Sequence, residues 1–299
     1  MLRPEKHLLE KLGRIQLVVM DIDGTLVTPG QSDFQNVVNQ LKKLKSLGIS
    51  FSVATGRTFA GASGTFHRLL EIGMKPQPMI VYNGAVVLSG CEPSVMVRHV
   101  IDRDAMVTVV RRCRHLGYSP LAYACTSSLN LVPHETVYTE GGRGAMPEFN
   151  GMPVRPVPDL LQVDDEFVAI LVEARDPIEG RRLTAELAKT FGDIVRVTTS
   201  GGKYIEVSPP AGTKSRALRE LANLRRLQID QVMAIGDNFN DLEMIAAAGV
   251  GVAVQNAPAE VREAAMLKCT LPAGQGVVEA LRVLTRSRRS RILTPSKRG

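Results

Sequence analysis

Four short polar segments hold the residues able to do chemistry. The first, Asp21-Ile22-Asp23-Gly24-Thr25-Leu26, sets two carboxylates two residues apart, directly after the apolar run 15–20. Such a pair can face one small volume while Gly24 turns the chain sharply away; an ordinary Asp- and Gly-rich turn is the plain alternative. The second, Thr55-Gly56-Arg57, offers a hydroxyl and backbone amides at the mouth of a helix, a setting that suits a phosphate oxygen but also an ordinary cap. The third, Gly212-Thr213-Lys214-Ser215, opens a helix with a lysine that either neutralises an anion or is simply solvated. In the fourth, Gly236-Asp237-Asn238-Phe239-Asn240-Asp241, the carboxylates of Asp237 and Asp241 and the amide of Asn240 are hard oxygen donors. They suit Mg2+, which takes one or two carboxylates and keeps several waters; an N-capping turn is the plain alternative.

The elements that must position these segments alternate. The continuous apolar run at 15–20 reads as a strand covered on both faces, and 49–54, 78–84, 232–236 and 250–254 read as further strands. Helical spacing of Val37, Val38, Leu41, Leu44 and Leu47, and of Ala217, Leu218, Leu221 and Leu224, places helices between them, with further helices around 258–267 and 275–285. This rhythm predicts an α/β fold, a doubly wound Rossmann-like parallel sheet, with ligands beyond the carboxyl ends of the strands. Residues 87–204 differ: short strands, two helices at 102–116 and 177–191, and a Pro- and Gly-rich stretch at 133–160 that predicts a long irregular loop. The expected organisation is a core of 1–86 and 205–285 interrupted by an inserted α+β cap domain at 87–204. A basic, disordered tail at 286–299 would follow. All four polar segments then fall at strand ends or helix starts of the core, and their co-occurrence argues against four unrelated turns.

Composition narrows the class. The chain has 299 residues, 44% of them hydrophobic and 22% charged, an ordinary globular balance. Its longest apolar tract, Met244 to Val254, is too short to cross a bilayer, and the first residues lack the apolar core of a secretory signal. Four scattered cysteines and five histidines form no metal-binding pattern, so free thiols in a reducing, cytoplasmic setting are expected. The net charge of +7 is mostly in the tail: six basic residues and no acid lie in 286–299, leaving the body near neutral.

DIDGTL, VATGR, GTKSRAL and AIGDNFNDLEMI together resemble the four motifs of the haloacid dehalogenase superfamily of phosphohydrolases, in the same order. YNGA at 82–85, IEVSPPAGTKSRAL at 205–218 and AVQNAPAEVREAA at 253–265 add to it, and the large insert resembles the α+β cap of the Cof-like branch. The resemblance implies a Mg2+-dependent phosphatase acting on a small phosphorylated metabolite, most simply a sugar phosphate. By resemblance, Asp21 is the nucleophile that forms an aspartyl-phosphate and Asp23 the general acid/base. Asp21, the Asp23 carbonyl and Asp237 hold the metal, supported by Asp241. The Ile22 amide, Thr55, Gly56, Lys214 and Asn240 take the phosphoryl oxygens. His134, Tyr138, Arg143 and Lys203 are the candidate cap contacts to substrate.

The same residues leave rivals. Phosphomutases share the core, and disaccharide-phosphate phosphatases share the cap class. A non-catalytic anion- or nucleic-acid-binding protein acting through its tail is the reading from another class. Against it, the tail has no aromatic side chain for base stacking, so no nucleic-acid partner is expected, and no membrane partner either. Retention of Asp21, Asp23, Thr55, Lys214 and Asp237 argues against a catalytically dead relative.

Overall fold

The computed structural model describes residues 6–27, 34–71, 78–89, 94–127, 133–140, 152–200 and 202–293. In chain order the elements begin with α1 (Lys6–Leu12), β1 (Leu17–Met20), α2 (Phe34–Ser46), β2 (Ser50–Val53), α3 (Phe59–Glu71) and β3 (Met79–Val81). They continue with β4 (Val86–Leu88), β5 (Val95–Arg98), α4 (Arg103–His115), β6 (Leu121–Ser127), β7 (Pro133–Thr139), β8 (Val154–Pro156), β9 (Phe167–Glu173), α5 (Pro177–Phe191), β10 (Arg196–Ser200) and β11 (Tyr204–Ser208). The last are α6 (Lys214–Leu224), β12 (Val232–Gly236), α7 (Phe239–Ala247), β13 (Val250–Ala253), α8 (Ala259–Ala264), β14 (Leu267–Lys268) and α9 (Ala273–Leu293).

The chain forms two compact units. One comprises Met1–Thr55, Thr65–Met79 and Lys214–Gly299; the other comprises Gly56–Gly64 and Ile80–Thr213. The first unit is built on a sheet of order β14-β13-β12-β1-β2 whose pairings are all parallel. Every residue of β1, β12 and β13 is buried, so both faces of the sheet are covered, as their continuous apolar runs require. α2 packs on α9, and α6 on α7; Val37, Val38, Leu41 and Leu44 of α2 and Ala217, Leu218 and Leu221 of α6 are buried, whereas Leu224 is exposed.

The second unit has a six-stranded sheet of order β10-β11-β9-β6-β7-β8 and a three-stranded sheet, β3-β4-β5. Ala122, Ala124, Tyr138, Phe167, Ile170, Val172, Ile205 and Val207 face one core with Met106, Val109 and Val110 of α4 and Leu183 and Leu187 of α5. Alternation of large apolar and polar residues along β11 is what a sheet with one helix-covered face demands. Among the described residues no helix is long and apolar enough to cross a membrane.

Three expectations need correction. Both boundaries are misplaced: the second unit already takes Gly56–Gly64 and the chain from Ile80, and, because β11 pairs antiparallel with both β9 and β10, the chain leaves it only at Thr213. The stretch from 133 is not all loop, because Pro133–Thr139 is β7, paired along its length with β6; residues 141–151 lie outside the description. The expected tail is helical through Leu293, since α9 continues past 286. Ser287 Oγ donates to Leu9 O at 3.2 Å and Arg288 Nη1 to Gly13 O at 2.7 Å, so this last stretch is tied to the α1 segment.

Candidate active site

Strand register sets the site. β1 is paired so that Met20 lies between Val53 of β2 and Ile235 of β12. Asp21 N then donates to Ile235 O, and Ala54 N to Met20 O, both at 2.9 Å. Three strands therefore end at one level; Asp21 and Asp237 follow directly at the carboxyl ends of β1 and β12, and Thr55 lies two residues beyond β2.

Lys214, the first residue of α6, is 1% exposed. A solvated lysine is thereby excluded. Its ammonium donates to Asp21 Oδ1 at 2.5 Å and to Asp241 Oδ1 at 2.7 Å. Burial alone would lower its pKa, but the two carboxylates raise it above the ordinary lysine value. Asp21 is pushed well up by burial, an effect that Lys214 opposes and Asp241 reinforces. Asp237 is pushed up to about 6, by burial first and by Asp241 and Asp23 as well, against a hydrogen bond from Thr25. Three carboxylates gathered about one ammonium leave an excess of buried negative charge that a cation would relieve.

Asp21, Asp237 and Asp241 each offer an oxygen, all within 4.8 Å of one another. Asp241 is already engaged, since its Oδ2 accepts from the Asp237 and Asn238 amides at 3.1 Å each while Oδ1 takes Lys214. All three are oxygen donors, a set that suits a hard divalent cation. Gly24, at φ +81°, approaches Asp237 so closely that a Cβ there would lie 2.3 Å from its Oδ2, so the turn needs glycine on both counts.

Two residues given no role in the sequence reading hold Asp237 in place. Thr25 Oγ1 donates to its Oδ1 at 2.7 Å, and Asn256 Nδ2 donates to its Oδ2 at 3.2 Å and to Gly24 O at 3.0 Å. The available signal was position: Asn256 lies just beyond the apolar strand β13, as the other polar segments do beyond theirs.

The other expected residues are placed as follows. Asp23 is exposed, Ile22 and Thr55 are fully buried, and Asn240 is half-buried in the first turn of α7. Gly56 opens the second unit, where a Cβ on it would lie 3.0 Å from Asn83 Oδ1. In the first turn of α3, Phe59 N and Ala60 N donate to the carboxylate of Glu135, each at 2.7 Å.

Among the cap candidates, His134 is exposed on β7, and Arg143 lies outside the described residues. Tyr138 is not a contact residue: its ring packs edge-on to Phe167 in the helix-covered core and its hydroxyl donates to Asp165 at 2.6 Å. Lys203 is engaged by Glu173 at 2.6 Å and lies over the Tyr204 ring. The described cysteines 113, 125 and 269 are buried free thiols, each raised to about 12 by burial.

A parallel sheet with carboxylates and a buried lysine beyond its central strands defines an α/β core with a charged site where such sheets bind ligands. The profile of the haloacid dehalogenase-like hydrolases matches residues 18–281, and the chain belongs to that family. Two relatives are named 5-amino-6-(5-phospho-D-ribitylamino)uracil phosphatase. YbjI of Escherichia coli is 25% identical over 269 residues, covering 89% of this chain and 95% of the relative. YwtE of Bacillus subtilis is 25% identical over 268 residues, covering 83% and 91%. The crystal structure of a haloacid dehalogenase-like hydrolase from Bacteroides thetaiotaomicron superposes with a TM-score of 0.71 at 26% identity, covering 90% of this chain and 98% of that one. The protein is a phosphatase of this family.

Proposed function

We propose that the phosphatase is Mg2+-dependent and hydrolyses a small phosphate monoester through an aspartyl-phosphate on Asp21. The observation that carries this reading is the Lys214 ammonium on Asp21 Oδ1, which fixes one carboxylate oxygen and leaves Oδ2 for phosphorus. A phosphate monoester repels an anionic nucleophile, so neutralisation and alignment are the main work of such a site. Mg2+ held by Asp21, Asp237 and the Asp23 carbonyl would supply the rest of that neutralisation. Asp23, exposed in the turn after β1, would give a proton to the departing alkoxide and then take one from water. Lys214, Thr55, Gly56, Asn240 and the Ile22 amide take the phosphoryl oxygens.

The leaving group we favour is a polyhydroxylated primary alcohol, as in a sugar phosphate. The names of the two relatives favour a related second reading, a phosphorylated ribityl chain. The test is phosphate release from p-nitrophenyl phosphate, then from sugar phosphates and the ribitylaminouracil phosphate, with and without Mg2+, beside Asp21→Asn. Magnesium-dependent release abolished by the substitution is expected. Equal turnover in chelator, or in the variant, overturns the reading.

A further inference from the structure

Glu135 is a charged residue in the middle of β7, yet it is only 7% exposed. Its Oε1 accepts from Phe59 N at 2.7 Å and from the Tyr82 hydroxyl at 2.6 Å, and its Oε2 accepts from Ala60 N at 2.7 Å. Phe59 and Ala60 are the first residues of α3, whose next amide, Gly61 N, is met by Thr58 Oγ1 at 2.8 Å. A carboxylate arriving from a distant strand thus does what a local cap usually does, and its charge is favoured by the positive end of the helix.

The same cluster grips the residues just before α3. Tyr82 N donates to Arg57 O at 3.0 Å, and the side chain of Asn83, itself bonded to Glu206 of β11, lies against Gly56. Tyr82 and Asn83 hold this arrangement in left-handed backbone conformations, φ 50° and 53°, which residues with side chains adopt only when their surroundings fix them. Gly56 and Arg57 follow directly on Thr55 in the chain.

We infer that Glu135 is a positioning residue of the phosphatase: through Tyr82 and the first turn of α3 it sets the place of Gly56 and Arg57, the residues that continue the proposed phosphate-binding segment from Thr55. The inference rests on the phosphate-binding role proposed above for Thr55 and Gly56. It assigns to the inserted strand β7 a part in phosphate binding, separate from recognition of the leaving group.

The probe is inorganic phosphate as a competitive inhibitor of the magnesium-loaded enzyme, measured beside kcat, KM and the Mg2+ concentration for half-maximal rate. Glu135→Ala is expected to raise the inhibition constant on the order of tenfold or more and to leave half-saturation by Mg2+ within about twofold, since the metal carboxylates lie elsewhere. Glu135→Gln, which keeps one acceptor, should recover part of the loss. Tyr82→Phe, which removes one hydrogen bond without leaving a charge stranded, should give a loss of about threefold and serves if the alanine variant does not fold. In a Thr55→Ala background, Glu135→Gln should cost less than it does alone. Folded Glu135 variants with unchanged phosphate inhibition, beside a Thr55→Ala that is impaired, would overturn the positioning role and leave the phosphate turn standing. An unimpaired Thr55→Ala would overturn both. Equal shifts in phosphate and Mg2+ dependence would reduce Glu135 to a general structural role and overturn the inference.

Discussion

Lys214 Nζ stands 2.5 Å from Asp21 Oδ1, with both side chains almost wholly removed from solvent. The sequence separation is 193 residues, so this pair joins the first strand of the sheet to a helix that follows the whole insertion. Burying an ion pair is costly, and removing one partner is costlier still because the other charge is stranded. Lys214→Met should therefore lower stability by about 3–5 kcal/mol, measured by urea unfolding, and abolish turnover. A stable, active methionine variant would mean that Asp21 is held by other groups.

Asp237 gives a pH dependence with a definite sign. Its folded pKa of about 6 lies above the unfolded value of ~3.9, so the metal-free folded protein binds the extra proton between these limits. That contribution is present at low pH and is lost as pH rises from about 4 through 6. Relative to Asp237→Asn, the metal-free wild type should lose about 1–2 kcal/mol between pH 4.5 and 7, after allowing for solvent screening. Mg2+ should restore the wild type at pH 7 and have little effect on the variant. Thermal unfolding of both proteins across this range, with and without Mg2+, checks it.

Thr25 and Asn256 touch Asp237 from opposite sides, on Oδ1 and Oδ2. Groups that orient a metal ligand typically matter by 10–100-fold in affinity. Asn256→Ala is expected to raise the Mg2+ requirement on the order of tenfold, with kcat at saturating Mg2+ changed much less. A kcat loss that Mg2+ cannot repair would instead place Asn256 against the substrate.

The basic end of α9 should matter for stability. Truncation before Arg286 removes the Ser287 and Arg288 hydrogen bonds to Leu9 and Gly13 and should cost about 1–3 kcal/mol. An unchanged urea midpoint would return this segment to the status of a solvated tail.

Much of the first unit was legible because its strands are buried on both faces and so must be continuously apolar, and because polar residues at their carboxyl ends break that pattern abruptly. What escaped depends on pairing between distant segments. Ile205 and Val207 have the same alternation whichever sheet they join, and only the ladder with β9 places them in the second unit. Glu135 reads as an exposed charge in a polar stretch, because its partners lie some 53 to 76 residues away. The end of α9 hides its buried face behind small polar residues, Thr285 and Ser287, among arginines. Tyr138 was misread for the converse reason: a tyrosine in a Gly-rich neighbourhood looks available for binding, whereas the twofold alternation of β7 turns it into the core.

The central claim is that Asp21 itself takes the phosphoryl group. Rapid acid quench of the magnesium-loaded enzyme early in turnover, followed by mass analysis of its peptides, tests this most directly. The account predicts one added phosphoryl group on the peptide carrying Asp21, absent without substrate and absent in Asp21→Asn. An added group on another residue, or release of product at full rate by Asp21→Asn, would contradict it.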